Sequence, residues 1–278
     1  MVRLKSETKW YWNAVRGMCI CLVLLIHVTV PTNETGVILP EWYLIRKLTA
    51  FPVAVFFFMA GYFVHIEKIC EKSYIWSKIK RVLFAYIGFS CIYTCLNGLF
   101  LEINWHGVVA NFILGTSEVQ MYFCIYLMEM ILVLPLLRKI IIDSAQRIVW
   151  LVLILLLSCT VAYIVLHFST NLVLLKPFCF TFLIYYVVGI YLRGAADGYY
   201  QSMVFLFLKK TRILCLGLIV AGLFVLSCAE GALRAPDFQY GQTTLGNYPY
   251  ALSVIAFLYA LFVKYERGGD CPKTRIVR

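Results

Sequence analysis

The sequence predicts an all-α polytopic membrane protein of about eight transmembrane helices, with both termini in the cytoplasm. Three observations carry this. Of the 278 residues, 62% are hydrophobic and 14% charged, and the mean hydropathy is +0.84. A water-soluble domain is nearer about 45–50% apolar and about 25% charged, so a soluble globule, a disordered tail and a disulfide-rich secreted module are excluded. The apolar residues arrive in blocks of about 16 to 21, long enough to cross the ~30 Å hydrocarbon core as helices. The basic residues gather in alternate loops between those blocks.

The first block, 14–30, follows Arg3, Lys5 and Lys9 and has the outline of a signal peptide. No small-x-small cleavage site follows it and further spans do, so it is read as a retained helix. The remaining spans are 48–66, 82–101, 119–137, 148–168, 172–192, 213–233 and 245–263. Together they form one transmembrane domain, with no soluble domain, low-complexity linker or clear internal repeat.

Twenty basic residues then fall on one side. The N-terminus carries Arg3, Lys5 and Lys9, and loop 67–81 carries Lys68, Lys72, Lys78, Lys80 and Arg81. Loop 138–147 carries Arg138, Lys139 and Arg147, and segment 193–212 carries Arg193, Lys209, Lys210 and Arg212. The tail adds Lys264, Arg267, Lys273, Arg275 and Arg278. The opposite side, with its helix ends, has four: Arg46, Lys47, Lys176 and Arg234. The positive-inside rule places both termini in the cytoplasm, and an even number of spans agrees. The net charge of +11 is thereby explained without a nucleic-acid partner. Most of the eleven cysteines lie within apolar blocks, show no CxxC or Cys/His metal spacing, and read as small packing residues.

Ionisable residues inside a span are costly and are functional candidates. The first span holds Arg16 and His27. Eleven steps of ~100° come within about 20° of three full turns, so both project from one face, roughly 16 Å apart along the axis. One polar stripe thus runs most of the way across the bilayer. The alternative is an Arg snorkelling to the headgroups and a His bonded at the outer interface. Glu129, in MYFCIYLMEMILVLPLL, is either a hydrogen-bonded packing residue or an intramembrane relay, with Arg16 a partner on the second reading. His65 falls at an interface. His106 and His167 join His27 on the outer side, but no fixed ligand spacing links them and no metal is expected.

Asn13-Ala14-Val15-Arg16-Gly17, followed by an apolar run to His27, resembles the opening Arg-x10-His signature of the family-three membrane acyltransferases. PVAVFFFMAGYFV (52–64) is similar to that family's Phe-Phe-x-x-Ser-Gly-Phe/Tyr stretch, with Ala60 where Ser is usual. SKIKRVLFAYI (77–87) resembles its basic segment before the third helix, with Ala85 where Pro is common. YFCIYLMEMILVLPLL (122–137) resembles its Tyr-x-x-x-Pro-Leu-Leu helix, without the Trp that usually opens it, and FLIYYVVGIYL (182–192) its Tyr-x-x-x-Gly-x-x-Leu pattern. The family usually continues with about two more spans; here the sequence ends ERGGDCPKTRIVR, which reads as a form lacking those C-terminal helices.

The resemblance implies an acyltransferase of groups other than aminoacyl, in the plasma or inner membrane. It would move an acyl group, commonly acetyl, from cytoplasmic acyl-CoA to a hydroxyl of a cell-envelope glycan or related acceptor. No bound cofactor is implied; acyl-CoA is the donor substrate, the lipid bilayer the surroundings, and a homo-oligomer or a partner transferase subunit remains open. Arg offers a planar, permanently charged fork for the donor's phosphates, so Arg16, Lys78 and Arg81 are the donor-side candidates. A sugar hydroxyl needs a base as it attacks a thioester, and imidazole, which titrates near neutrality, suits the role: His27 is that candidate. A transporter or flippase of a lipid-linked glycan or small anion, or a catalytically inactive short relative, are the competing readings. Flux without covalent change would mark the first of these, and partner binding without activity the second.

Overall fold

The computed structural model describes residues 6–28, 40–100, 121–168, 179–233 and 244–268. All regular structure among them is helical: α1 (Ser6–Val28), α2 (Pro40–Leu48), α3 (Pro52–Tyr62), α4 (Lys72–Phe100), α5 (Tyr122–Leu132), α6 (Leu134–Leu137), α7 (Arg147–Phe168), α8 (Phe180–Ala196), α9 (Met203–Lys210), α10 (Ile213–Ala232) and α11 (Asn247–Gly268). Short 3₁₀ (Ile66–Lys68) and π (Arg138–Ile142) turns complete the set. Among the described residues six stretches are long and apolar enough to cross a membrane: Trp10–Val28, Trp42–Tyr62, Lys72–Leu96, Arg147–Val165, Ile213–Ala232 and Asn247–Tyr265. Tyr122–Leu132 and Phe180–Ala196 are apolar but shorter; the parts of the expected spans at 119–120 and 172–178 lie outside the described residues. The apolar stretch of α10 has a mean hydropathy of 2.4 with 11% of its residues buried, a surface that belongs in lipid. The chain is a polytopic, helical membrane protein.

The sequence places several ends wrongly, for local reasons. Expected loop 67–81 is largely helix: α4 starts at Lys72, because Lys and Arg are good helix formers even where they end an apolar run. The span expected at 48–66 falls mainly on α3; the apolar stretch Trp42–Tyr62 that overlaps it joins α2 to α3, broken at Thr49–Phe51. Pro52 has no N–H to give the Leu48 carbonyl. The Tyr250 hydroxyl of α11 donates to that carbonyl instead, at 2.8 Å. Likewise the span expected over 119–137 is interrupted at Val133, where Pro135 cannot continue the ladder, and α5 keeps 11 residues.

The fold divides into two units, 1–59 with 195–278, and 60–194, the boundaries falling within α3 and α8. In the first unit α1 buries Trp12, Val15 and Cys19, spaced three and four apart. Trp12 packs on Phe262 and Phe58, with ring centroids 5.2 and 5.8 Å away. The Tyr11 hydroxyl donates to the Leu258 carbonyl at 2.7 Å, so the start of α1 lies beside the later half of α11. At the other end of this unit lie the last turn of α1, α2, the end of α10 and the start of α11. Lys47, counted in the sequence among the four basic residues of the opposite side, is fully buried there, its Nζ donating to Thr244 Oγ1 at 2.9 Å and Ser227 Oγ at 3.3 Å. The Tyr43 hydroxyl donates to the Cys228 carbonyl at 2.6 Å, and the Glu230 carboxylate accepts from the Leu245 and Gly246 N–H groups.

In the second unit α5 lies beside the start of α8: Tyr122 stacks on Phe182 and Glu129 reaches Cys179. The Ser158 hydroxyl joins α7 to the Phe180 carbonyl at 2.7 Å. Gly61 of α3 meets α8 so closely that a Cβ there would run into the Tyr186 carbonyl. Two of the sequence motifs quoted above thus cross at one backbone contact. Arg138, expected as a loop charge, donates to the Ile66 carbonyl at 3.2 Å and fixes the 3₁₀ turn.

Candidate functional site

The Arg16/His27 geometry depends on an unbroken helix, and α1 is helical from Ser6 to Val28. The two residues therefore lie on one face, about 16 Å apart along the axis and not in contact with each other. Both are exposed, on the flank of the stripe made by Trp12, Val15 and Cys19. The buried stripe holds α1 in place and leaves the polar line open. Arg16 Nη1 donates to Asn13 Oδ1 at 3.3 Å, one turn earlier. That partner is a neutral amide, so this contact orients the guanidinium without cancelling its charge.

His27 occupies the last turn of α1, where the final carbonyls have no partner within the helix. Arg46 of α2 supplies one: its Nη2 donates to the Ile26 carbonyl at 3.0 Å. A half-buried guanidinium is thereby fixed at the carbonyl next to His27, a favourable place for a cation on the helix dipole. Sequence reasoning missed Arg46. The available signal was its anomaly, since Arg46 and Lys47 are adjacent cations on the side otherwise poor in them.

The other candidates belong to the second unit. Lys78 and Arg81 are three residues apart on α4, hence on neighbouring positions of one helix surface. Lys78 Nζ lies 5.2 Å from the centre of the Tyr74 ring, while Arg81 is exposed. The Tyr74 hydroxyl accepts the His65 N–H at 3.0 Å, which joins the start of α4 to the preceding turn. Glu129 accepts the Cys179 N–H at 2.6 Å, immediately before α8. The bond ties the Glu129 carboxylate to the residue that precedes α8, giving Glu129 a hydrogen-bonding role at a helix start. His106 lies outside the described residues, as does the side chain of His167.

The family model of the acyltransferase 3 family, described as an acyltransferase domain, matches residues 9–268. The chain belongs to that family of membrane acyltransferases. No curated protein and no solved structure matches it.

Proposed function

We propose that the chain is a membrane O-acyltransferase, in the first place an O-acetyltransferase, acting in the plasma or inner membrane. It takes the acyl group from cytoplasmic acyl-CoA and passes it to a hydroxyl of a cell-envelope glycan or related acceptor. The observation that carries this is the placing of Arg16 and His27 on one exposed face of an unbroken helix, inside a chain of this family. The orientation with both termini in the cytoplasm, and eight crossings in which α5 and α8 belong to the two shorter ones, rest on the distribution of basic residues.

In this mechanism Arg16 holds phosphates of the donor by charge-assisted hydrogen bonds, and Lys78 and Arg81 of the second unit are separate candidates for donor binding. The pantetheine arm of coenzyme A is long enough to carry the thioester from Arg16 toward His27. The acceptor oxygen forms a bond to the thioester carbonyl carbon as its proton passes to the His27 imidazole. The carbon–sulfur bond breaks, and the leaving thiolate takes that proton to become free coenzyme A. The products are the O-acyl ester and the thiol. Isotope-labelled acetate supplied to cells with and without the protein tests this, by mass spectrometry of the envelope glycans. Labelled O-acetyl groups present only with the protein support the proposal; identical glycans overturn it.

A further inference from the structure

Helix α9, Met203–Lys210, stands outside the site. Its start is capped by the Ser202 hydroxyl, which accepts the Phe205 N–H at 3.1 Å. One face is packed: Leu208 is buried, and the Phe205 ring lies 6.4 Å from that of Tyr259 on α11. The opposite face is apolar and open, with Met203 82%, Phe207 57%, Val204 44% and Leu206 40% exposed. Eight residues make a helix about 12 Å long, which cannot cross a bilayer. Only Thr211 and Arg212 separate it from α10, an apolar helix of spanning length, so α9 must lie where that helix leaves the membrane. Its far end carries three cations in four residues: Lys209, over the Phe205 ring, and the exposed Lys210 and Arg212. An apolar face directed outward beside a cationic end fits the boundary between acyl chains and anionic headgroups.

We propose that α9 is an interfacial helix that inserts Met203, Leu206 and Phe207 among the acyl chains and binds anionic phospholipid headgroups through Lys209, Lys210 and Arg212. The test uses the full-length protein with p-benzoylphenylalanine in place of Phe207, in vesicles of phosphatidylcholine and phosphatidylglycerol in equal parts. After illumination, adducts are identified by mass. The expected product is a phospholipid adduct enriched several-fold in phosphatidylglycerol. The preference should fall by up to about fivefold for each of Lys209→Gln, Lys210→Gln and Arg212→Gln. Adducts that follow the bilayer composition overturn the headgroup assignment. Adducts to a second copy of the chain or to another protein, or none at all, overturn the interfacial placement.

Discussion

Arg46 holds the Ile26 carbonyl at 3.0 Å, so a cation from α2 clasps the turn of α1 that carries His27. The contact gives one of the last carbonyls of α1 a partner from outside the helix. In the proposed reaction Arg46 is a positioning residue, acting through that turn. Arg46→Gln loses a charge-assisted bond of about 1.5–3 kcal/mol. We expect kcat to fall about ten- to a hundredfold with little change in the KM for acyl-CoA, and Arg46→Lys to recover part of it. A rise in KM alone would place Arg46 on the donor instead.

Glu129 separates two roles by a conservative pair of variants. Glu129→Ala strands the Cys179 N–H and should cost about 1–3 kcal/mol, read as earlier thermal unfolding in detergent. Glu129→Gln keeps an acceptor oxygen and should remain close to the parent in both stability and activity. A Gln variant that is stable but inactive would contradict the hydrogen-bonding role and restore the relay.

Gly61 is required by a contact rather than by backbone freedom. Gly61→Val drives a side chain into the Tyr186 carbonyl of α8, and overpacking of that kind costs about 1–3 kcal/mol or more. Gly88→Ala is the control: on α4 a Cβ there meets nothing within 4 Å, and the better helix former should leave stability unchanged or slightly raised. Equal unfolding temperatures for the two variants would refute the close approach of α3 and α8.

The orientation is open to labelling in a background without native cysteines. Leu233, 87% exposed at the end of α10, should accept a membrane-impermeant thiol reagent from outside as Leu233→Cys. Ser73→Cys, at the start of α4, should react only after permeabilisation. The reverse pattern would move the donor residues to the wrong side of the membrane.

What could be read from the sequence divides along the range of the interactions involved. Helices α7 and α10 match their expected spans nearly end to end, because each is an uninterrupted apolar run. The shared face of Arg16 and His27 was equally legible, since spacing within one helix fixes it. The breaks at Pro52 and Pro135 were not. A proline inside an apolar run is tolerated when another helix satisfies the freed carbonyl, and Tyr250 lies some two hundred residues from Leu48. The partners of Arg46 and Lys47 were not legible for the same reason. Local sequence shows two charges near a helix end, whereas their partners, Ile26, Ser227 and Thr244, come from distant segments.

The central claim is that His27 takes the acceptor's proton. The direct measurement is the O-acetyl content of envelope glycans from cells expressing either the parent or His27→Gln at equal membrane levels, with the rate of transfer from labelled acetyl-CoA followed in isolated membranes. A positioned general base contributes about 10²–10⁴-fold, so transfer by the variant should fall by that factor while insertion into the membrane is unchanged. Transfer by His27→Gln at the parental rate would contradict the account and leave the Arg16/His27 face as a packing feature of α1.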